Sequence, residues 1–274
     1  MSRRIERVVV PFDAATESLA AIETAARLAA CAKATLHGIF IEDEELLHVA
    51  ALPFTRQLSP GVGVQPFTVE DTELDLKAAA ERARRELIAA AQRHGIGATF
   101  EVVRGGPQAA LSGISEHDIV VAGAQGRPIA RHFRVECRWW SSVEIASGPL
   151  LLARQEPDGR GPVIVLLRDS GPEAARLLNI AAQVAEAASG ELTAVCPPVL
   201  AQSAQFREWL AQQLAGFRVN LRVEAAPEAS AMLYDRIGEL GCRVLAVEAA
   251  VIERGAGELR AHVERFACDV LIVR

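Results

Sequence analysis

The sequence lacks most of the signatures that assign a chemistry at sight. The five cysteines, Cys31, Cys137, Cys196, Cys242 and Cys268, are odd in number and widely spaced, with no C-x-x-C pair. That excludes a zinc ribbon or a local redox motif and predicts reduced thiols. The six histidines have no partners at metal spacing, so no metal site is expected. There is no G-x-S-x-G elbow, no H-E-x-x-H pair and no G-x-x-x-x-G-K-[ST] loop, and no nucleophile stands beside an evident base. The expectation is a protein that is not an enzyme. An excess of positive charge is also missing: the net charge is −6 and the pI about 5.6, which argues against a surface built to coat nucleic acid or an acidic membrane. No apolar run approaches the roughly 18 to 20 residues of a membrane helix. The basic opening "MSRRIERVVVPFD" reaches proline and aspartate too soon for a signal-peptide core. These absences point to a cytoplasmic protein whose partners are neither nucleic acid nor membrane.

What is present is enough apolar residue for a large core: half of the 274 residues. It is organised as two copies of one plan. "RVVVPFD" ending at Asp13 is answered by "PVIVLLRD" ending at Asp169, and "AKATLHGIFIED" by "ASGELTAVCPP". "TFEVVRGGP" is answered by "NLRVEAAP", "HDIVVAGA" by "CRVLAVEA", and "GPLLLAR" by "CDVLIVR". Five paired strands in one order identify a repeat. Between them the apolar period changes from two to about 3.6. Leu19, Ile22, Ala26 and Ala29 fall on one helical face, as do Leu76, Ala80, Ala83 and Leu87. In the second half Leu177, Ala181 and Val184 share a face, then Phe206, Leu210, Leu214 and Phe217.

Continuous apolar strands alternating with amphipathic helices predict the α/β class: two tandem doubly wound, Rossmann-like domains, each with a five-stranded parallel sheet. The Pro, Gly and Asp content of "QEPDGRGP" suits a linker, which places the domains at 1–155 and 161–274. The first half alone carries a long segment from Glu42 to Asp75, rich in Pro and Gly around "LSPGVGVQP". It reads either as a surface excursion or as a flap over a cleft or a partner contact.

In an open parallel sheet, ligands bind beyond the carboxyl ends of the strands where the strand order reverses. Asp13, Ile41 and Gly123 close strands one, two and four of the first half and can converge on one crevice. Glycine lets backbone N–H groups approach phosphate oxygens, and an aspartate past a strand can accept from a ribose or a base. The stretch "VVAGAQGRPIARHFRVEC" adds Gly126 three residues after Gly123, then a basic run of Arg127, Arg131, His132 and Arg134, continued by Arg138.

The combination of "VVVPFD", "VVRGGP", "DIVVAGAQGR" and "GPLLLAR" resembles the universal stress protein family in its tandem, UspA-like form, with the adenine nucleotide alpha hydrolase-like fold. The resemblance implies a stress-response protein without catalytic activity. It also implies a nucleotide site patterned G-x-x-G-x9-G-[ST], whose glycines and hydroxyl surround the phosphates of ATP while the first-strand aspartate meets the nucleoside. On this chain the implied ligand set is Pro11, Asp13, Ile41, Gly123, Gly126, Arg127, Glu136 and Cys137.

The last two depart from the pattern, because Glu136-Cys137 stands where Gly-Ser is required. A carboxylate a few ångströms from a phosphate costs roughly 1 to 4 kcal/mol, and a thiol is a weak donor. The site therefore reads as degenerate, suited to AMP or another small anion rather than to ATP, unless the surrounding arginines offset Glu136. In the second half Glu248 and Val251 replace the two glycines, and no phosphate loop is expected. Asp169 there reads as a turn or cap residue. Trp139 shares a helical face with Val143 and Ala146 and reads as core, and Cys137 as an inert side chain or a thiol activated by its basic neighbours.

The resemblance further implies a homodimer through the last strands, or the same pairing within one chain, Leu150 to Arg154 against Val270 to Arg274, as a pseudo-dimer. The alternative to nucleotide binding is a regulatory scaffold that acts through dimerisation and a protein partner.

Overall fold

The computed structural model describes residues 5–13, 19–59, 63–123, 148–154, 161–226, 230–250 and 268–274. The first half runs β1 (Arg7–Phe12), α1 (Leu19–Ala32), β2 (Thr35–Glu42), α2 (Glu44–Ala50), β3 (Arg56–Ser59), β4 (Gly63–Pro66), α3 (Val69–His94), β5 (Ala98–Arg104), α4 (Pro107–Leu111), β6 (Asp118–Gly123) and β7 (Leu150–Ala153). The second half runs β8 (Val163–Leu166), α5 (Pro172–Ala188), β9 (Glu191–Cys196), α6 (Pro198–Gln202), α7 (Ala204–Leu214), β10 (Asn220–Ala225), α8 (Ser230–Glu239), β11 (Val244–Glu248) and β12 (Asp269–Val273).

Ten of the twelve strands form one sheet in the order β10-β9-β8-β11-β12-β7-β6-β1-β2-β5. Within each half the five strands are all parallel. The halves meet where β12 runs antiparallel to β7, with Val270 opposite Leu152, Leu271 opposite Leu151 and Ile272 opposite Leu150. The last-strand pairing anticipated from the sequence therefore lies inside the chain. Both strands have sheet neighbours on each side, so neither offers an edge to a second copy, and the free edges are β5 and β10.

The seam is buried because its residues are apolar in both alternations of the strand. Leu151 and Leu271 enter the core on one face, while Leu150, Leu152, Val270 and Ile272 enter it on the other. Over the first face α1 packs against α5 across the halves. At an effect of about 25 cal/mol per Å² of apolar surface, two aliphatic strands covered on both faces are a strong adhesive. Polar contacts add register: the Ile5 N–H donates to Gln183 Oε1 at 2.9 Å, and the Arg154 N–H to Asp269 Oδ1 at 2.7 Å.

Among the described residues the helical faces read from the sequence are buried with two exceptions, Leu19 and Phe217, the latter half-buried beyond the end of α7. Leu19 opens α1 and is 65 % exposed, while Ile22, Ala26 and Ala29 are in the core. A first-turn residue projects past the end of the sheet that its helix covers.

The described residues of the segment from Glu42 to Asp75 form two helical pieces and two short strands. Asp43 caps α2 by accepting from the Glu45 N–H, β3 and β4 make an antiparallel hairpin outside the main sheet, and Thr68 caps α3 by accepting from the Asp71 N–H while its hydroxyl donates to Asp71 Oδ2. Between helix and hairpin, Phe54 is 98 % exposed and holds a φ of 68°, a left-handed conformation that costs a bulky residue of order 1 kcal/mol or more.

Candidate functional site

The strand order supplies the frame of the site. From β1 the chain steps outward to β2 and β5, then returns to β6 on the other flank of β1 and continues to β7. The order thus reverses between β1 and β6, the position where a doubly wound sheet opens a crevice at its carboxyl edge. Asp13 follows the end of β1, and Gly123 is the last residue of β6. These two sequence-predicted residues flank the reversal.

Pro11 and Ile41 stand close by. Pro11 pairs with Ile39 in the β1–β2 ladder, and Ile41 pairs with Val103 of β5. The Ile41 side chain is buried in the cluster that also holds Val9, Ala110, Val120 and Ala122, so only its backbone is left toward the carboxyl edge. Gly126, Arg127, Glu136 and Cys137, together with the basic run and Trp139 and Trp140, lie outside the described residues.

The sequence reading passed over the rim beside β2. Arg104, at the end of β5, donates through Nε to Glu42 Oε2 at 3.1 Å and approaches Glu73 of α3 at 3.5 Å. Its guanidinium is raised above its usual pKa by hydrogen bonding to Glu42 first. The Gly105 N–H donates to the Glu42 carbonyl at 3.0 Å with φ at 137°, a conformation that favours glycine. The stretch "VVRGGP" is therefore a clamp that ties the edge strand β5 to β2 at the carboxyl edge of the sheet. The signal was available as an Arg-Gly-Gly-Pro run at a strand end, but its acidic partner comes from another strand.

The second half repeats the reversal between β8 and β11, with different chemistry. Asp169 accepts from the Gly171 N–H at 2.7 Å, which makes it a turn residue before α5. Glu248 ends β11 where Gly123 ends β6.

Among the described residues no group of three or more His, Cys, Asp or Glu side chains is gathered as for a metal ion. His37, buried in β2, faces Thr99 Oγ1 at 2.7 Å and Glu101 Oε1 at 3.2 Å, a core histidine in a ladder. Among the described residues no helix is long and apolar enough to cross a membrane.

No family model and no curated protein sequence matches the chain. Solved structures do. A universal stress protein from Archaeoglobus fulgidus DSM 4304 superposes with a TM-score of 0.62 at 11 % identity over 98 % of both chains. A putative universal stress protein from Pseudomonas aeruginosa UCBPP-PA14 gives 0.57 at 16 % identity over 98 % of this chain and 93 % of its own. A functionally unknown protein from Pseudomonas aeruginosa PAO1 gives 0.57 at 15 % identity, covering 98 % of this chain and 92 % of its own. The chain has the universal stress protein fold. It has it in the tandem form, since these neighbours align over nearly the whole of both chains.

Proposed function

We propose that the chain is a non-catalytic stress-response protein of the tandem universal stress type, whose first domain, 1–155, keeps a degenerate crevice for an adenine nucleotide or small anion. Asp13 accepts from the ribose or base, backbone at Pro11 and Ile41 borders the nucleoside, and Gly123, Gly126 and Arg127 meet the phosphate. Glu136 and Cys137 disfavour a long polyphosphate, so AMP is preferred to ATP. The second domain, 161–274, has lost the site and serves as the packing partner in an internal pseudo-dimer, with the cytoplasm as the setting.

The observation that carries this reading is the reversal of strand order between β1 and β6, flanked by Asp13 and Gly123. The contrast with the second half supports it: there the flanking residue is Glu248, whose charge repels phosphate.

The test is to denature protein purified from cells, identify any released nucleotide by mass spectrometry, and titrate ATP, ADP and AMP by thermal shift. A bound ligand stabilises by RT ln(1 + [L]/Kd), and Gly126→Glu should abolish the shift. Absence of any shift at millimolar ligand would refute it. One observation favours a second reading, a scaffold that docks a protein partner: the strained and exposed Phe54 on the segment from Glu42 to Asp75. Deleting Leu58 to Val64 without loss of a co-purifying partner would sink that alternative.

A further inference from the structure

Cys242 and Cys268 are far apart in sequence, but the fold brings them side by side. Cys242 precedes β11 and Cys268 precedes β12, and those strands are parallel neighbours with Val244 opposite Asp269. The Asp269 N–H donates to the Arg243 carbonyl at 2.9 Å, so the ladder continues one step further and sets Cys268 beside Arg243. Cys242 is then one residue off the direct partner position. With strands about 4.8 Å apart and a rise of about 3.3 Å per residue, that diagonal is roughly 5.8 Å between Cα atoms, at the usual separation for a disulfide. Cys242 lies before the regular strand, where the alternation of faces no longer holds, and its side chain reaches the same side: Cys268 belongs to the core cluster containing Val247 and Val270, and Cys242 packs against that cluster. Both are free thiols, and the interaction between them is the leading influence on the acidity of each.

We propose that Cys242 and Cys268 are a redox couple that peroxide converts reversibly to a disulfide, clipping the starts of β11 and β12 together. The Cys268 thiolate attacks one peroxide oxygen, the O–O bond breaks, and hydroxide leaves to take up the proton that Cys268 released. Cys242 then attacks the resulting sulfenic acid; the S–O bond breaks, the S–S bond forms, and a second water departs. Two thiols lose two electrons and hydrogen peroxide gains them.

The surroundings assign these roles. The interaction with Cys242 is the largest influence that lowers the Cys268 thiol below its ordinary pKa; burial and the charge of the adjacent Asp269 oppose it, and the charge of Arg154 assists. Cys242 is pushed up, first by that same interaction and then by burial. The antiparallel pairing of Leu152 with Val270, extended by two residues, puts Arg154 opposite Cys268. A low-pKa thiol beside a resolving thiol is the arrangement that oxidises to a disulfide rather than to a higher acid. Since β7 and β12 are antiparallel, the couple lies on the same edge of the sheet as Gly123, which pairs with Ala153.

The full-length protein is treated with hydrogen peroxide, quenched in acid, blocked with iodoacetamide and digested with trypsin. The expected product joins the peptide 237–243 to the peptide 266–274, and dithiothreitol separates them. The melting temperature should rise by roughly 4 to 8 °C on oxidation and return on reduction, with no rise in Cys242→Ala. A variant with Cys31→Ser, Cys137→Ser and Cys196→Ser should form the same link, which excludes exchange through the other thiols. Recovery of both peptides as separate alkylated thiols, or as separate sulfinic acids, at a peroxide dose that oxidises the exposed Cys31 overturns the proposal.

Discussion

Arg7 at the start of β1 grips Asp118 at the start of β6 with two donors, Nη2 on Oδ2 at 2.7 Å and Nε on Oδ1 at 3.1 Å. The pair spans the same two strands whose far ends carry Asp13 and Gly123, and it fixes their register at the closed edge of the sheet. Asp118 is buried and also accepts from the Ser115 N–H at 2.7 Å. Replacing Arg7 by Met strands a buried carboxylate. The cost is about 1 to 3 kcal/mol, at the lower part of the range for a buried ion pair because Arg7 is itself partly exposed. Urea unfolding of Arg7→Met at pH 7 measures it.

Acid reads the same contact. Burial opposes ionisation of Asp118, yet Arg7 and Ser115 outweigh it and hold its pKa below the usual carboxylate value. A depressed folded-state pKa contributes stability that is complete above the unfolded value, near 3.9, and is lost as pH falls through the folded one. The advantage of the wild type over Asp118→Asn should be constant from pH 7 to about 5 and shrink below about 4.

Asp269, at the seam, should behave in the opposite sense. Burial raises its pKa, only partly countered by the Arg154 N–H and by the charges of Arg243, Arg27 and Arg154. A raised folded-state pKa contributes stability that is complete below the unfolded value and is lost as pH rises through the folded one. Asp269→Asn keeps an acceptor for the Arg154 N–H. Its urea midpoint relative to wild type should therefore climb between about pH 4 and 7, and a flat difference would contradict the assignment.

The seam itself is open to a pair of substitutions. Leu271 is fully buried where β12 meets β7, whereas Leu221 lies partly exposed on the edge strand β10. Leu271→Asp should cost at least about 3 kcal/mol, and Leu221→Asp less than about 1. Comparable losses would mean that the halves do not depend on their junction.

Gly148 and Gly113 make a similar contrast at the closed edge of the sheet, near Arg7 and Asp118. A Cβ on Gly148 would come within 2.8 Å of the Ser115 carbonyl and 2.9 Å of the Asp118 carbonyl, while one on Gly113 meets nothing within 4 Å. Backbone oxygens in a strand entry cannot swing aside, so Gly148→Ala should destabilise by about 1 to 3 kcal/mol. Gly113→Ala should stay within about 0.5. Differential scanning calorimetry of the two variants separates them.

The parallel strands were legible in the sequence because burial on both faces demands apolar runs such as "VVV", "LLL" and "VLIV", and the amphipathic helices because one face must repeat at 3.6. The hairpin of β3 and β4 was not, since strands of four residues are too short to leave a periodic trace. The clamp of Arg104 on Glu42 and the contact of Cys242 with Cys268 were hidden for a common reason. Each is made by lateral register between neighbouring strands, and register is a property of the sheet rather than of any window along the chain. The positions of Asp13 and Gly123, by contrast, were readable as punctuation at the ends of apolar runs, and the strands do end there.

Joining β7 to β12 inside one polypeptide also changes what the assembly is able to become. Two identical subunits meeting at that ladder would be bound by symmetry to carry two identical crevices, each answerable to every change in the gene. Once the ladder closes within a single chain, the two ends of the sheet inherit separate fates. One end carries Glu248 at the position where the other carries Gly123, a divergence that two identical subunits could not hold.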